Sequence, residues 1–575
     1  MAITVTDPVD TVDDFNTINK SLLKKELRIK ILNNIKKRID DNDDIFYVFY
    51  AKPYTYDYPV VGTPPEEVPE PTNALNKDLT LRKSFTGFRK LNATDIRKAF
   101  KKYKWESGTT YSQYSNFVDL SVTDLQYYVY VENQKKIYIC LNNANGGAST
   151  IEPSSDDTAP FKTSDGYTWQ LIIEYEDSLI RKFSSESYLP EPNPESDQIK
   201  KATNGGTVDR FDINNDNISY DYDALTEIPF FIKGDGQEIK SAEARVIDVP
   251  QGGSLDTSSL RISRSGNGYY ADADHDYKVP VEFRLKTESL TAAQIAQSDD
   301  FELAYGLAKV NVDNNSIESI EVKNIGKGYP TNSTVMIVQS SAIVYGIIND
   351  DTPSSIDFNI IQAGEDYESA KAVSVYETSE TIDPIDPYIN VIISPPNGHG
   401  SDIQNELNST SLFINTRITN DDNIFSTSND FRQIGIIENP LNLSGNKITE
   451  NIIDAKLKIR IEAEQASDFE LLNVDAAIEG QLSLQRGILV DVLDVPGEPL
   501  QRDVRYVRDP RVSDKLSFIT NENLFVPAQQ KSFRIIDVTN PDIDFSSGNV
   551  LFINNTTAID RDIDQSETLN FIFNF

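Results

Sequence analysis

Cysteine is almost missing from this chain: Cys140 is the single one in 575 residues. An internal disulfide is therefore impossible, and folding in a reducing compartment is expected. Histidine, methionine and tryptophan occur twice each, which leaves little for redox chemistry, acid–base catalysis or a histidine-rich metal site. No stretch approaches the roughly 20 apolar residues needed to span a bilayer. The opening residues, MAITVTDPVDTVDDF, lack the basic start and apolar centre of a secretion signal. A soluble chain with no membrane partner is expected. Positive charge is scarce too: 54 Lys and Arg face 90 Asp and Glu, a formal net charge of −36. A phosphate backbone would be repelled, which argues against nucleic acid as a partner.

The deficit is uneven. Residues 1–110 hold 19 basic and 16 acidic residues, so the remaining 465 carry a net −39. A mildly basic end on an acidic body suits electrostatically complementary partners or copies; a merely solvated surface is the plainer reading. What is plentiful points to strands, with 27 Tyr, 27 Phe and many Ile and Val. The length exceeds one hydrophobic core, so about two to four domains are expected.

Residues 18–39 place Leu23, Leu27, Ile31 and Ile35 four apart among Lys and Arg, which predicts an amphipathic helix with those residues facing a core. The run IFYVFYA (45–51) predicts a strand, followed by a Pro-rich loop. A second helix is expected over 92–104, capped by Asn92 or Thr94 and closed by Trp105. Residues 127–141 read as two strands about a polar turn. In DGYTWQLIIEY (165–175), Asp-Gly predicts a tight turn, and Trp169, Leu171 and Ile173 share one face of a strand by parity. Trp169 reads as a core residue.

Four segments repeat. They end at Tyr220, Tyr269, Tyr329 and Tyr367, with apolar residues nine and seven positions earlier: Phe211 and Ile213, Leu260 and Ile262, Ile320 and Val322, Phe358 and Ile360. Three carry Gly three positions before the Tyr, and a turn-rich stretch (NGGT, QGGS, DNNS, DTPS) precedes each. Each unit reads as turn, strand, glycine turn with an anchoring Tyr, and return strand. Spacings of 49, 60 and 38 residues are too uneven for a stacked solenoid, so small β modules in series are expected. Further on, FRQIGIIENPL (431–441) is a strand led by Phe431 and stopped before Pro440. Residues 455–540 alternate in β fashion, and ETLNFIFNF ends in a strand bearing Phe571 and Phe573.

Catalytic chemistry has little support. His275 (DADHD) and His399 (PPNGHG) lie in loop-like sequence, and Cys140 sits inside an alternating strand as a small apolar residue. No phosphate-binding loop is present. Ninety acidic residues supply so many carboxylate pairs that none signals glycoside hydrolysis. One string mimics a calcium loop: Asp212, Asn214, Asp216 and Asp223 occupy positions 1, 3, 5 and 12. Asn217 stands where that loop needs glycine, and the string overlaps the first tyrosine repeat, which explains its apolar positions without an ion. No cofactor is expected, and the chain reads as a non-enzyme.

The segments YVFYAKPYTY, DGYTWQLIIEY, FRQIGIIENPL and SGNVLFINN…ETLNFIFNF occur in this order in one known family. The chain resembles the dimeric baseplate wedge subunit of T-even-like contractile-tailed bacteriophages over about residues 18–195, 425–445 and 546–575. FRQIGIIENPL and the Phe-rich C-terminus are its most specific pieces. Residues 196–424 and 446–545 are extra to a shorter family member, and the tyrosine units are similar to β modules that decorate many phage structural proteins. The resemblance implies a mainly β fold: a β-sandwich core with a few helices near the N-terminus, plus inserted small β domains. It divides the chain into a tail (1–17), a first α+β core part (18–195), inserted modules (196–424), a core strand (425–445), a second β insertion (446–545) and C-terminal core strands (546–575). It further implies a late-made structural protein of the virion tail, folded in the host cytoplasm and joining other wedge subunits as a homodimer without catalysis. The motifs transfer no active-site residue. A receptor-binding fibre or adhesin is the alternative, on the Tyr-rich modules and acidic loops. A polysaccharide-cleaving tail enzyme would favour a regular parallel β-helix, which the spacings disfavour.

Overall fold

A computed structural model describes residues 14–41, 44–52, 75–120, 125–213, 227–250, 252–270, 272–298, 301–348, 356–376, 385–418, 424, 433–509, 517–555 and 567–574. The fold is mainly β, with antiparallel sheets, a closed barrel and few helices. Two compact units emerge, one chiefly Lys24–Ala99 with Thr410–Phe575, the other Phe100–Ser409.

In the first unit, one sheet orders its strands Ile452–Asp454, Phe85–Lys90, Phe46–Ala51, Gln433–Glu438, Asn549–Asn555. Facing it, Ser411–Ile418 lies between Ile96–Lys101 and Glu567–Asn574. Phe46, Val48 and Tyr50 meet Ile96, Leu412, Ile414 and Phe573 between the sheets, while Tyr47, Phe49 and Ala51 pack outside with Phe85, Phe88 and Ile437. Covered on both faces, Phe46–Ala51 is a continuous apolar run instead of an alternating one. Gln433–Glu438 stops before Asn439 and Pro440, as expected. Asn439 turns at φ 49° and its Oδ1 accepts from the Ile45 N–H at 2.9 Å. Phe431 lies outside the described residues.

Two helix expectations need correction. In the helix Asp14–Asp40, Leu32 and Ile39 are buried and Ile35 partly so, whereas Leu27 is 58% and Ile31 41% exposed; the side chain of Leu23 lies outside the described residues. A four-residue spacing drifts about 40° around a helix at each step, so Leu27 and Ile31 lie off the face that Ile35 and Ile39 turn to the core. The helix expected over 92–104 is absent: Ala93–Asp95 form a single 3-10 turn and Ile96–Lys101 is a strand. Burial of Ile96, Ala99 and Phe100 overrides the helix propensity of the Lys, Arg and Ala beside them. Trp105 does not close a helix; it donates its indole N–H to Ser149 Oγ at 3.1 Å.

In the second unit, the expected hairpin forms from Tyr128–Val131 and Lys136–Asn143, and Tyr167–Glu174 pairs beside it. Trp169 is fully buried with Leu171, Cys140 and Tyr111. Ile173 does not share that face. Ile137 pairs with Ile173 but Tyr138 with Leu171, so Ile172 is an extra bulged residue and Ile173 joins a different cluster.

The repeats are interleaved, not strung in series. Each supplies a leading strand before its tyrosine, a middle strand after it, and a trailing strand. Repeat 1 gives Val208–Ile213, Glu227–Gly234 and Glu238–Val246; repeat 2 gives Leu260–Arg264, Lys278–Leu285 and Ala304–Asn311. Repeat 3 gives Ser316–Asn324, Thr334–Ser340 and Ala342–Ile348; repeat 4 gives Ile356–Ala363, Ala370–Ser374 and Ile385–Ile393. One six-stranded sheet runs leading 2, trailing 1, middle 3, middle 2, trailing 2, leading 3. The other runs leading 4, trailing 3, middle 1, middle 4, trailing 4, leading 1. Advancing every repeat by two, with 1 following 4, turns the first order into the second. The four repeats thus form a closed cycle in which every trailing strand pairs with the next leading strand. Phe231 of one sheet packs on Tyr305 of the other at 5.7 Å between rings, beside Val338.

Within the first unit, strands within residues 457–539 form a closed barrel. Its strand order is Leu457–Glu462, Gln501–Arg508, Arg486–Asp494, Ala477–Gly480, Asn523–Val526, Lys531–Thr539. Ile459, Ile461, Leu489, Val504, Leu524 and Ile535 fill it.

Candidate functional site: the tyrosine junctions and the two histidines

Tyr269, Tyr329 and Tyr367 are each 1% exposed. Each phenol oxygen accepts a hydrogen bond from an alanine amide of the preceding repeat's trailing strand: Ala242 at 2.9 Å, Ala304 at 2.8 Å and Ala342 at 3.3 Å. Tyr269 also donates to the Ile337 carbonyl at 2.7 Å and Tyr329 to that of Phe283 at 2.6 Å. The glycine three positions earlier serves the same contact. Gly266, Gly326 and Gly364 have φ of 64°, 56° and 72°, and a Cβ on each would lie 2.5, 2.8 and 2.7 Å from the same alanine nitrogens. Only glycine allows both the left-handed turn and the close approach.

The turns ahead of the repeats complete the junctions. The Tyr269 N–H donates to the Asn315 carbonyl at 3.0 Å, that of Tyr329 to Gly253 at 2.9 Å and that of Tyr367 to Gly206 at 3.1 Å. Tyr220 lies outside the described residues. Burial raises the pKa of the three phenols, so they stay protonated. Their chemistry is anchorage: each satisfies a backbone group that strand pairing leaves over.

Both histidines sit between two carboxylates, a feature the sequence reading missed. His399 is 1% exposed; its Nε2 meets Asp209 at 3.0 Å, its Nδ1 meets Glu406, and the Tyr114 ring stands edge-on at 4.9 Å. The second Glu406 oxygen accepts from the Gly400 N–H at 2.8 Å. Burial alone would lower the imidazole pKa, but Asp209 and Glu406 outweigh it and raise it to about 10. His275 repeats the pattern, with Nδ1 2.7 Å from Asp272 and Nε2 3.0 Å from Glu227, and stacks on Tyr345 at 3.6 Å between rings. With both nitrogens engaged, neither ring offers a lone pair to a metal or a substrate. A clue was present for His275, whose Asp272 is three positions away; Asp209 is 190 residues from His399.

The other sequence candidates do not converge. Cys140 is buried in the Trp169 cluster, and desolvation pushes its thiol pKa far up, which leaves no reactive thiolate. Asp212 is paired with Arg210 at 2.7 Å, while Asn214, Asp216 and Asp223 lie outside the described residues. Among the described residues, no cluster of His, Cys, Asp and Glu could hold a metal ion, and no helix is long and apolar enough to cross a membrane. Trp169 stacks on Tyr167 at 5.3 Å and is a core residue. Phe573 stands edge-on to Phe552 at 4.2 Å in the sandwich, with Phe571 partly buried beside it. No known family model and no curated protein matches this chain.

Proposed function

We propose that the protein is a structural subunit of a contractile phage tail, a baseplate wedge component that joins neighbouring wedge proteins as a homodimer and performs no catalysis. One observation carries the reading. Three of the four segments behind the resemblance, separated by hundreds of residues, contribute to one sandwich: Phe46–Ala51 pairs with Gln433–Glu438, which pairs with Asn549–Asn555, and Glu567–Asn574 lies in the facing sheet. The fourth, DGYTWQLIIEY, forms Tyr167–Glu174 in the second unit. The sandwich is the arrangement expected of an ancestral core whose loops accepted the repeat cycle and the barrel. The buried, fully partnered histidines are consistent with a scaffold. Sedimentation equilibrium of the full-length protein across a concentration series tests the reading. A stable species of twice 64.5 kDa supports it, and a tight trimer would replace it with the fibre or adhesin alternative.

A further inference from the structure

Exposed strand edges invite pairing, and proteins usually guard them with short strands, bulges, charges or proline. Most sheet edges of this chain are guarded. Ile452–Asp454 and Phe161–Lys162 are short. Asn549–Asn555 is bulged at Leu551 and Val208–Ile213 at Asp209. Leu260–Arg264 has a register shift and two arginines, Ser316–Asn324 has two shifts with Glu318, Glu321 and Lys323, and Ile356–Ala363 is shifted at Ile361.

Glu567–Asn574 differs. It is the last strand of its sheet among the described residues, and it pairs with Ser411–Ile418 through eight residues without a shift. It has no proline or lysine, and its single charge is Glu567 at one end. Leu569 and Phe571 point to the core side yet are only partly buried.

The strand is also complementary to itself. Its residues Asn570, Phe571, Ile572, Phe573 and Asn574 read the same in both directions. Antiparallel pairing of two copies about Ile572 sets Asn570 against Asn574, Phe571 against Phe573 and Ile572 against its own copy. Because the side-chain period is two, this register keeps every phenylalanine on the core side and every asparagine on the other. A two-fold axis through Ile572 satisfies the geometry of a closed, self-complementary interface.

We infer that two copies of this chain dimerise by antiparallel pairing of their Glu567–Asn574 strands about Ile572, making one continuous sheet across the two-fold axis. The inference rests on the homodimer reading and assigns its interface. Cysteine scanning tests it, since Cys140 is buried and will not interfere. Opposed residues in such a pair have Cβ atoms about 4.5–5.5 Å apart. Ile572→Cys should therefore cross-link to a covalent dimer under mild oxidation, while Asn570→Cys, four residues out of register with its own copy, should not. Ile572→Lys should lower the sedimentation mass from twice 64.5 kDa to 64.5 kDa. If the wild type is dimeric but Ile572→Cys fails to cross-link, the interface is overturned and the dimer reading survives. If the wild type is monomeric or trimeric, both fall.

Discussion

The repeat cycle and the barrel are both built of antiparallel strands, yet they hold their turns by opposite means. In the repeats, a neutral phenol and a glycine converge on one alanine amide, three times over. In the barrel, charge does the equivalent work. Glu522, 1% exposed, accepts from the amides of Leu482 at 3.0 Å, Ser483 at 2.9 Å and Ile519 at 2.6 Å, pinning two loops at once. At the barrel's base, Lys456, fully buried, donates to Asp454 and to the Ile424 carbonyl. Burial works against an ionised Asp454, but Lys456 and Lys458 more than offset it and keep its pKa below the usual carboxylate value. A pattern of neutral anchors repeats because one solution fits each turn of the cycle; ionic anchors are specific to one place.

The largest expected break is in the repeats. Gly326→Ala must force a Cβ to within 2.6 Å of the Glu302 carbonyl oxygen and 2.8 Å of the Ala304 nitrogen, at φ 56°. A loss of about 4 kcal/mol is expected from strain and overlap together, read as a lower denaturation midpoint. Next comes the barrel: Glu522→Ala should cost about 3 kcal/mol, because three buried or partly buried amides lose a charged acceptor. Tyr329→Phe should cost about 2 kcal/mol by orphaning the Ala304 N–H and the Phe283 carbonyl, with faster hydrogen exchange at Ala304 as the local signature.

These contrasts also show what was legible in the sequence. Leading strands and anchoring tyrosines could be read because Gly and apolar residues recur at fixed offsets from Tyr269, Tyr329 and Tyr367. Trailing strands could not: Ala242, Ala304 and Ala342 lie 25 to 27 residues before their tyrosines, and an alanine amide leaves no side-chain signal. The strand Ile96–Lys101 was misread as helix because its partner, Ser411–Ile418, is some 300 residues away and local propensity favoured the wrong state. The barrel left only β alternation, since its anchors Glu522 and Lys456 look like any surface charge until the fold buries them.

The smallest effect in neutral buffer concerns the closure of the cycle. Repeat 4 meets repeat 1 beside an ionic clamp, with Asp209 on the leading strand of repeat 1 and His399 just after the trailing strand of repeat 4. The imidazole pKa is raised from 6.5 to about 10. A raised pKa means the folded state binds the proton more tightly, so this stabilisation is complete below pH 6.5 and is lost as pH rises through about 10. The melting temperature should fall across that window, and His399→Gln should flatten the dependence while lowering stability at pH 6.

The most direct test of the interleaved cycle is native-state hydrogen exchange at the amides of Ala242, Ala304 and Ala342 in Gly326→Ala. Each sheet draws strands from three repeats, and repeat 3 supplies strands to both, so one damaged junction should accelerate exchange at all three amides together. Acceleration confined to Ala304, with Ala242 and Ala342 unchanged, would mean that the repeats are independent modules and would contradict the account.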